Sequence, residues 1–194
     1  MTILVTTQVN PTLDAFAASF AYAKLRQAVR EEATFGIAGA PDAPTQWIIQ
    51  ELKINDVVHL EATTAIYDVF ILLNAMMDGV AQLMPEIVNV NRVIEVIDRG
   101  SEEDEAHRRF PDAHLIVEPV GALSTIVTER FVARKLTIDS VSTQLLYSAI
   151  YTATDNLEPN RTTPRDRAAL RELMTQMNIP ITLVRDLFVA THAR

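Results

Sequence analysis

The side chains best equipped for chemistry are two arginines beside a helix start, an acidic run followed by histidine, and a Ser-Thr pair. Arg161 and Arg165 flank Thr163-Pro164. A guanidinium presents a planar fork of donors that matches phosphate, so both are candidate phosphate contacts. The competing reading is ordinary surface arginine near a helix start. Glu102-Glu103-Asp104-Glu105 precedes His107-Arg108-Arg109. Carboxylates near an imidazole are metal-ligand chemistry, but the run has no ligand spacing and its flanks are polar. A solvated connection over residues 99–112 is therefore expected. Ser124-Thr125 offers hydroxyls with no identifiable base, so helix-start capping is the better reading. His59, His107, His114 and His192 are scattered, and His59 and His114 fall in expected strands as packed or edge residues. The chain has no Walker-type loop and no dinucleotide fingerprint. It also has no cysteine, which excludes disulfides, thiolate metal sites and a Cys nucleophile. Asn160-Arg161-Thr162 matches the glycosylation pattern and is read as chance.

A chain of 194 residues is long enough for one domain with a full core. Hydrophobic residues at 48% and charged residues at 22% describe an ordinary globule. A net charge of −8 and a pI near 5.0 argue against general nucleic-acid binding, which needs clustered Lys and Arg. The longest uncharged, mostly apolar stretch, residues 69–77, falls well short of the roughly 20 residues that span a bilayer. No membrane association is expected. With no visible signal peptide and no cysteine, a cytoplasmic location is expected.

The elements that must position these groups alternate in type, which predicts an α/β fold with a doubly wound, mainly parallel sheet flanked by helices. Strands are expected at residues 2–6, 33–37, 56–60, 68–73, 92–97 and 114–118. Asn10-Pro11 reads as the start of a first helix, with Leu13, Phe16, Ala17, Phe20 and Ala23 as its apolar stripe. A second helix is expected at 45–52, with Trp47 as core or rim packing. Further helices are expected at 121–135 and 138–152. Thr163-Pro164-Arg165-Asp166 carries the capping signature of another helix start. Its stripe is Leu170, Leu173, Met174 and Met177, and an amphipathic segment follows at 181–191.

Four segments, in order, go further. Val5-Thr6-Thr7-Gln8-Val9-Asn10-Pro11-Thr12-Leu13-Asp14 resembles a strand followed by His-x-Asn-Pro-Asp-x-Asp. Val93-Ile94-Glu95-Val96-Ile97-Asp98-Arg99-Gly100 resembles a strand ending in Asp-His-His. Val117-Glu118-Pro119-Val120-Gly121-Ala122-Leu123-Ser124-Thr125-Ile126 resembles Glu-Pro-Val-Gly-Ala-x-x-Thr. Ala149-Ile150-Tyr151-Thr152-Ala153-Thr154-Asp155-Asn156-Leu157, leading to Thr162-Thr163-Pro164-Arg165-Asp166, resembles Gly-Ile-x-x-Asp-Thr-Gly-Ser-Leu and Thr-Thr-Pro-Arg-Asp. Together they resemble the DHH family phosphoesterase domain of the RecJ and manganese-dependent inorganic pyrophosphatase kind. The style is closest to the DHH domain of tRNA-nucleotidyltransferase-like fusions. The resemblance covers most of residues 1–178 and leaves 179–194 as a C-terminal amphipathic helix or tail. No counterpart of the DHH-associated C-terminal domain, with its Gly-rich loop, is recognised in a chain with five glycines.

In that family two Mn²⁺ or Mg²⁺ ions sit at the C-terminal edge of the sheet, activating water and clamping phosphoryl oxygens. Measured against the resemblance, Gln8 stands in place of the first His and Thr12 in place of the first Asp, while Asp14 remains. Asn74 follows the strand that should end in a ligand Asp, with Asp78 nearby but out of register. Asp98 remains, Arg99 and Gly100 replace the two His, and Ala153 replaces the last Asp. Two carboxylates thus survive where the resemblance implies four or more, and a guanidinium repels metal. Arg99 is expected to pair with Asp14 or Asp98. No cofactor is expected, and Mn or Mg would require a residual single-ion site on Asp14 and Asp98, with Asp155 or Asp78. The bland readings are a first-turn acid for Asp14 and a strand-end residue for Asp98.

The expected function is a catalytically degenerate phosphoesterase domain, a pseudoenzyme acting as a binding or interaction module. Its partner would be a second copy or another protein, with the exposed faces of residues 164–176 and 181–191 and the Met174/Met177 pair as contact surfaces. The alternatives are a weakly active metal-dependent phosphoesterase or pyrophosphatase with an altered site, and a metal-free sensor of a nucleotide or other small phosphate ligand. In the last case Arg99, with Arg161 and Arg165, supplies the charge once given by metal.

Overall fold

The structure is a computed structural model that describes residues 1–77, 80–100, 103–176 and 181–192. Its strands are β1 (Thr2–Thr7), β2 (Glu32–Ile37), β3 (Val58–His59), β4 (Val69–Leu73), β5 (Met76–Met77), β6 (Val80–Ala81), β7 (Val93–Arg99) and β8 (His114–Glu118). Six of them form one sheet in the order β3-β2-β1-β4-β7-β8, and every neighbouring pair is parallel. β5 and β6 form a separate antiparallel ribbon. β1 is central because Ile3, Leu4 and Val5 are apolar on both faces, as a doubly covered strand must be.

From β1 the chain winds outward to β3, then returns to β4 on the other side of β1 and winds outward to β8. That reversal opens a crevice at the C-terminal ends of β1 and β4, where open α/β sheets hold their sites. Thr7 pairs with Leu73, and Leu73 with Ile97. The next residues, Gln8, Asn74 and Asp98, therefore leave three adjacent strands at one edge.

Side chains alternate across the sheet with period two. Ile3, Val5, Ile71, Leu73 and Ile97 join the larger core, while Leu4, Phe70, Leu72 and Val96 join the smaller one. The larger core is covered by α1 (Leu13–Ala28), α2 (Ala43–Glu51), α4 (Leu123–Ala133), α5 (Ser140–Ala153) and α6 (Pro164–Gln176); α3 (Glu103–Arg109) precedes Phe110, which plugs the smaller. α1 is buried on nearly every side, since Ala18, Ala21 and Tyr22 are as inaccessible as the expected stripe. A helix apolar all round belongs between layers, and α1 lies between the sheet and α4 and α5. Phe35 meets Phe16 and Phe20 edge to face, with centroids 5.1 and 5.7 Å away. At the other end of α1, the Tyr22 hydroxyl donates to Glu95 Oε1 at 2.5 Å and Arg26 Nη1 to Glu95 Oε2 at 2.9 Å. Burial and the Glu95 charge push the Tyr22 hydroxyl pKa up. The network ties α1 to β7.

Several boundaries differ from expectation. α1 begins at Leu13, capped by Thr12, rather than at Asn10-Pro11. Asn10 instead takes a left-handed backbone (φ 57°), donates from its N–H to Ala38 and accepts from Ala40 N, so it fastens the loop after β2. α2 starts two residues early because Asp42 caps Thr45 N at 3.0 Å. β3 has two residues instead of five, as an edge strand with β2 as its partner in the sheet. Residues 99–112 are not a plain connection. β7 continues through Arg99, and α3 forms with Ala106 buried and Phe110, four residues on, in the smaller core, while Asp104, His107 and Arg108 stay exposed. Glu102 lies outside the described residues. α4 and α5 each start two residues late, the latter capped by Asp139.

Other expectations hold. Trp47 packs against the larger core, and His59 and His114 sit exposed on the two edge strands. α7 (Ile181–His192) buries Leu183 and Leu187 and lies against α2 and α5. Met174 is exposed, and Met177 lies outside the described residues. Among the described residues no helix is long and apolar enough to cross a membrane.

Candidate functional site

The crevice is shaped by three carboxylates that each hold backbone in place. Asp14 sits in the first turn of α1, but its carboxylate reaches the start of α4. Oδ2 accepts from Leu123 N at 2.7 Å and Oδ1 from Ser124 N at 2.9 Å. The N-cap position of α4 is Ala122, whose side chain cannot accept a hydrogen bond. A carboxylate from 109 residues away does so instead and also meets the positive end of the helix dipole. Asp14 keeps some exposed surface as a residue, yet its carboxylate is enclosed by protein. That burial pushes its pKa up, while Ser124, the Leu123 N–H and the Arg99 charge pull it back. The Ser124 hydroxyl is buried beside it without a partner in good hydrogen-bond geometry.

Asp98, at the end of β7, is 1% exposed. Oδ2 accepts from Met76 N at 2.7 Å and Oδ1 from Arg99 N at 2.9 Å. Burial pushes its pKa up to about 7, and the Asp14 charge adds to this against the two N–H donors and Arg99. Arg99 forms no ion pair with either carboxylate among the described residues. Its Nη1 donates to Gly121 O at 2.9 Å. Successive strand residues point to opposite faces, so Arg99 diverges from Asp98. It acts on both acids through space, lowering both pKa values.

The other resembling positions have local roles. Gln8 is buried and accepts a hydrogen bond from the Thr7 hydroxyl. Thr12 caps α1. Asn74 is buried with φ 58°, and its N–H donates to Ile97 O. Ala153 ends α5. Asp155 is exposed in a run of three left-handed residues, 155–157, with φ of 51°, 58° and 65°. Asp78 lies outside the described residues. Among the described residues no three His, Asp or Glu converge in a metal-holding group. Two carboxylates, each already accepting two N–H groups and sharing their surroundings with a guanidinium, do not fit a pair of hard divalent cations.

Asp166 is the residue that sequence reasoning undervalued. It forms the expected capping contact with Thr163, whose N and Oγ1 donate at 2.6 and 2.7 Å. It also accepts from Gly121 N at 3.0 Å, Ala122 N at 3.2 Å and Thr125 Oγ1 at 2.6 Å. Burial raises its pKa, but the donors from Thr125, Thr163 and Gly121 outweigh it and hold the carboxyl below its ordinary value. Asp14 and Asp166 thus cap α4 together, replacing the capping expected from Ser124-Thr125. The signal in the sequence is the helix start Gly121-Ala122, which has no cap of its own.

Gly121 is required by a close approach. A Cβ there would stand 2.2 Å from Arg161 O and 2.8 Å from Asp166 Oδ2. Gly121→Ala is expected to push residues 161–163 off the start of α4 and cost about 2 kcal/mol, as overpacking does. Urea denaturation measures it, and an unchanged midpoint would refute the contact.

Beside these groups lies a cavity of about 520 Å³, walled by Arg99, Gly121, Ala153, Arg161, Thr162 and Thr163 among others. It gathers Arg99, Ala153 and Arg161 from the sequence-derived candidates. Arg165 is not on its wall. Its guanidinium is taken by Glu129, at 2.9 and 2.6 Å, and by Glu118, which pushes its pKa further up.

No protein-family model and no curated protein matches this chain. Solved structures do. A Methanococcus jannaschii protein described as a family II inorganic pyrophosphatase aligns with a TM-score of 0.72 and 16% identity, over 98% of this chain and 61% of its own. An exopolyphosphatase-related protein from Bacteroides fragilis aligns with a TM-score of 0.72 and 15% identity, over 100% of this chain and 56% of its own. The chain spans less than two thirds of either protein. At such identity the likeness establishes fold alone: a six-stranded parallel sheet flanked by helices, arranged as in these two structures.

Proposed function

We propose that this chain is a DHH-like phosphoesterase domain whose two-metal centre is degenerate and whose fold serves as a binding module. One observation carries the reading. Asp14 and Asp98, the acids that survive at the resembling positions, each spend both oxygens on backbone N–H groups. Each would have to stay charged to ligate a metal, and a pair of hard divalent cations needs more than two such carboxylates. Burial drives both toward the neutral form, and Arg99 adds positive charge. The fold neighbours are described as a family II inorganic pyrophosphatase and an exopolyphosphatase-related protein, which makes phosphate chemistry the frame for any residual activity. The ligand or partner would be a small phosphate compound, a second copy or another protein. The net charge of −8 argues against general nucleic-acid binding.

Calorimetric titration of the EDTA-stripped protein with Mn²⁺, followed by pyrophosphate and phosphodiester hydrolysis assays, tests this. No saturable binding below about 1 mM is expected, because a weak single site falls short of about −4 kcal/mol, and no turnover above background. Two-site Mn²⁺ binding with turnover abolished by Asp98→Ala would sink the reading.

A further inference from the structure

We infer that the cavity beside the former metal positions is a metal-free site for a phosphate dianion, held by Arg99 and Arg161. The inference rests on the reading that the crevice keeps no metal pair. It adds the ligand class and the residues that grip it.

The cavity brings two guanidiniums from distant segments to one concave wall, and none of the nine described residues lining it carries a carboxylate. In a chain of net charge −8 this is a wall with cationic side chains alone, although Arg99 also acts through space on Asp14 and Asp98. The two arginines are in different states of readiness. Arg99 is steadied by one bond from Nη1 to Gly121 O, which leaves its remaining N–H donors unspent. Arg161 makes no side-chain hydrogen bond or ion pair among the described residues. An arginine already tethered loses less freedom when it meets a ligand, and a second free one can close over it. Asn160 adds an amide to the same wall.

The wall is also firm. Asp166 ties Thr163 to Gly121 and Ala122, so both sides of the cavity are fastened to one carboxylate. Arg165, the other sequence-derived candidate, is locked by Glu118 and Glu129 and takes no part. A volume of about 520 Å³ lies within the range of ordinary ligand sites and exceeds what a lone phosphate fills. The occupant is therefore a phosphate group carrying a further group, with a diphosphate as the simplest case. Arginine holds such oxyanions by paired N–H donors rather than as a point charge.

The test is calorimetry and thermal shift with pyrophosphate, at constant ionic strength and in EDTA, with sulfate as the control anion. The wild type, Arg99→Gln, Arg161→Gln and the surface control Arg171→Gln are compared. Pyrophosphate is expected to bind the wild type and Arg171→Gln alike, and to bind Arg99→Gln and Arg161→Gln at least about tenfold more weakly. Arg161→Gln removes no structural bond, so it remains informative if loss of the Gly121 contact unsettles Arg99→Gln. Absence of binding in EDTA with none on adding Mn²⁺ overturns the anion site and leaves the degenerate-centre reading standing. Binding that appears with Mn²⁺ alone overturns that reading as well. Equal affinity for sulfate, or affinity indifferent to both arginines, also overturns the site.

Discussion

Asp166→Ala is expected to lower the unfolding free energy by about 3–5 kcal/mol, the usual cost of leaving a buried network without its charged acceptor. The wild-type carboxylate, 0% exposed, accepts from three backbone N–H groups and two hydroxyls on two separate segments. Ala supplies no acceptor, and the freed donors at Gly121, Ala122 and Thr163 are walled off from full hydration. Asp166→Asn keeps the shape and one acceptor oxygen, so about half that loss is expected. Urea denaturation near pH 7 reads both. A loss below about 1 kcal/mol for Ala, an ordinary single hydrogen bond, would show that the network carries little. The pH dependence has a defined sign. The folded pKa of Asp166 lies below its unfolded value, so its stabilisation is present above about pH 4 and is lost as pH falls further. The Ala variant should lack that acid-side decline.

The second large effect runs the other way. Asp98 has a folded pKa raised to about 7. Between about pH 4 and 7 the folded chain keeps a proton that the unfolded chain releases. Stability is therefore fully present below the unfolded value, falls as pH rises through this window, and levels off above it. Three units at about 1.36 kcal/mol each put the change on the order of 4 kcal/mol. Asp14, also raised by burial, adds in the same direction. Asp98 and Asp14 thus favour the acid side of neutrality, and Asp166 opposes acidification below about pH 4. Asp98→Asn cannot titrate, so its urea midpoints at pH 5 and pH 8 in EDTA should differ far less than those of the wild type. Parallel declines in both proteins would reject the assignment to Asp98.

The six strands of the main sheet were legible because most are short apolar, β-branched runs, and the central ones are covered on both faces; the ribbon of β5 and β6 was not. The start of α6 was legible for a different reason. A capping box spans four residues, so Thr163 and Asp166 announce themselves locally. Asn10-Pro11 carries an equally local signal and was misread. The left-handed backbone and the bond to Ala40 depend on where β2 ends, not on the helix that follows. α3 was hidden for a similar reason. Its charges dominate its composition, while its helical state rests on burying Ala106 and on Phe110 reaching the smaller core. The roles of Asp14 and Asp166 were half visible, as an acid in a first turn and a capping acid. That each also restrains α4 was not, because the donors are 109 and 41 or more residues away in the chain.

By itself the sequence determined the fold class, the order of the six main strands and of most helices, and which acids stand in the four resembling segments. Those follow from periodicity, capping chemistry and residue identity, which are local. The tertiary structure decided what the remaining groups do. It turned Asp14 and Asp166 onto the bare start of α4, steered Arg99 to the Gly121 carbonyl rather than to an acid, and separated Arg161 on a cavity wall from Arg165 in an ion-pair cluster. The physical reason is that a carboxylate or guanidinium binds whatever unsatisfied partner packing brings within about 3 Å. Chain order does not encode that distance.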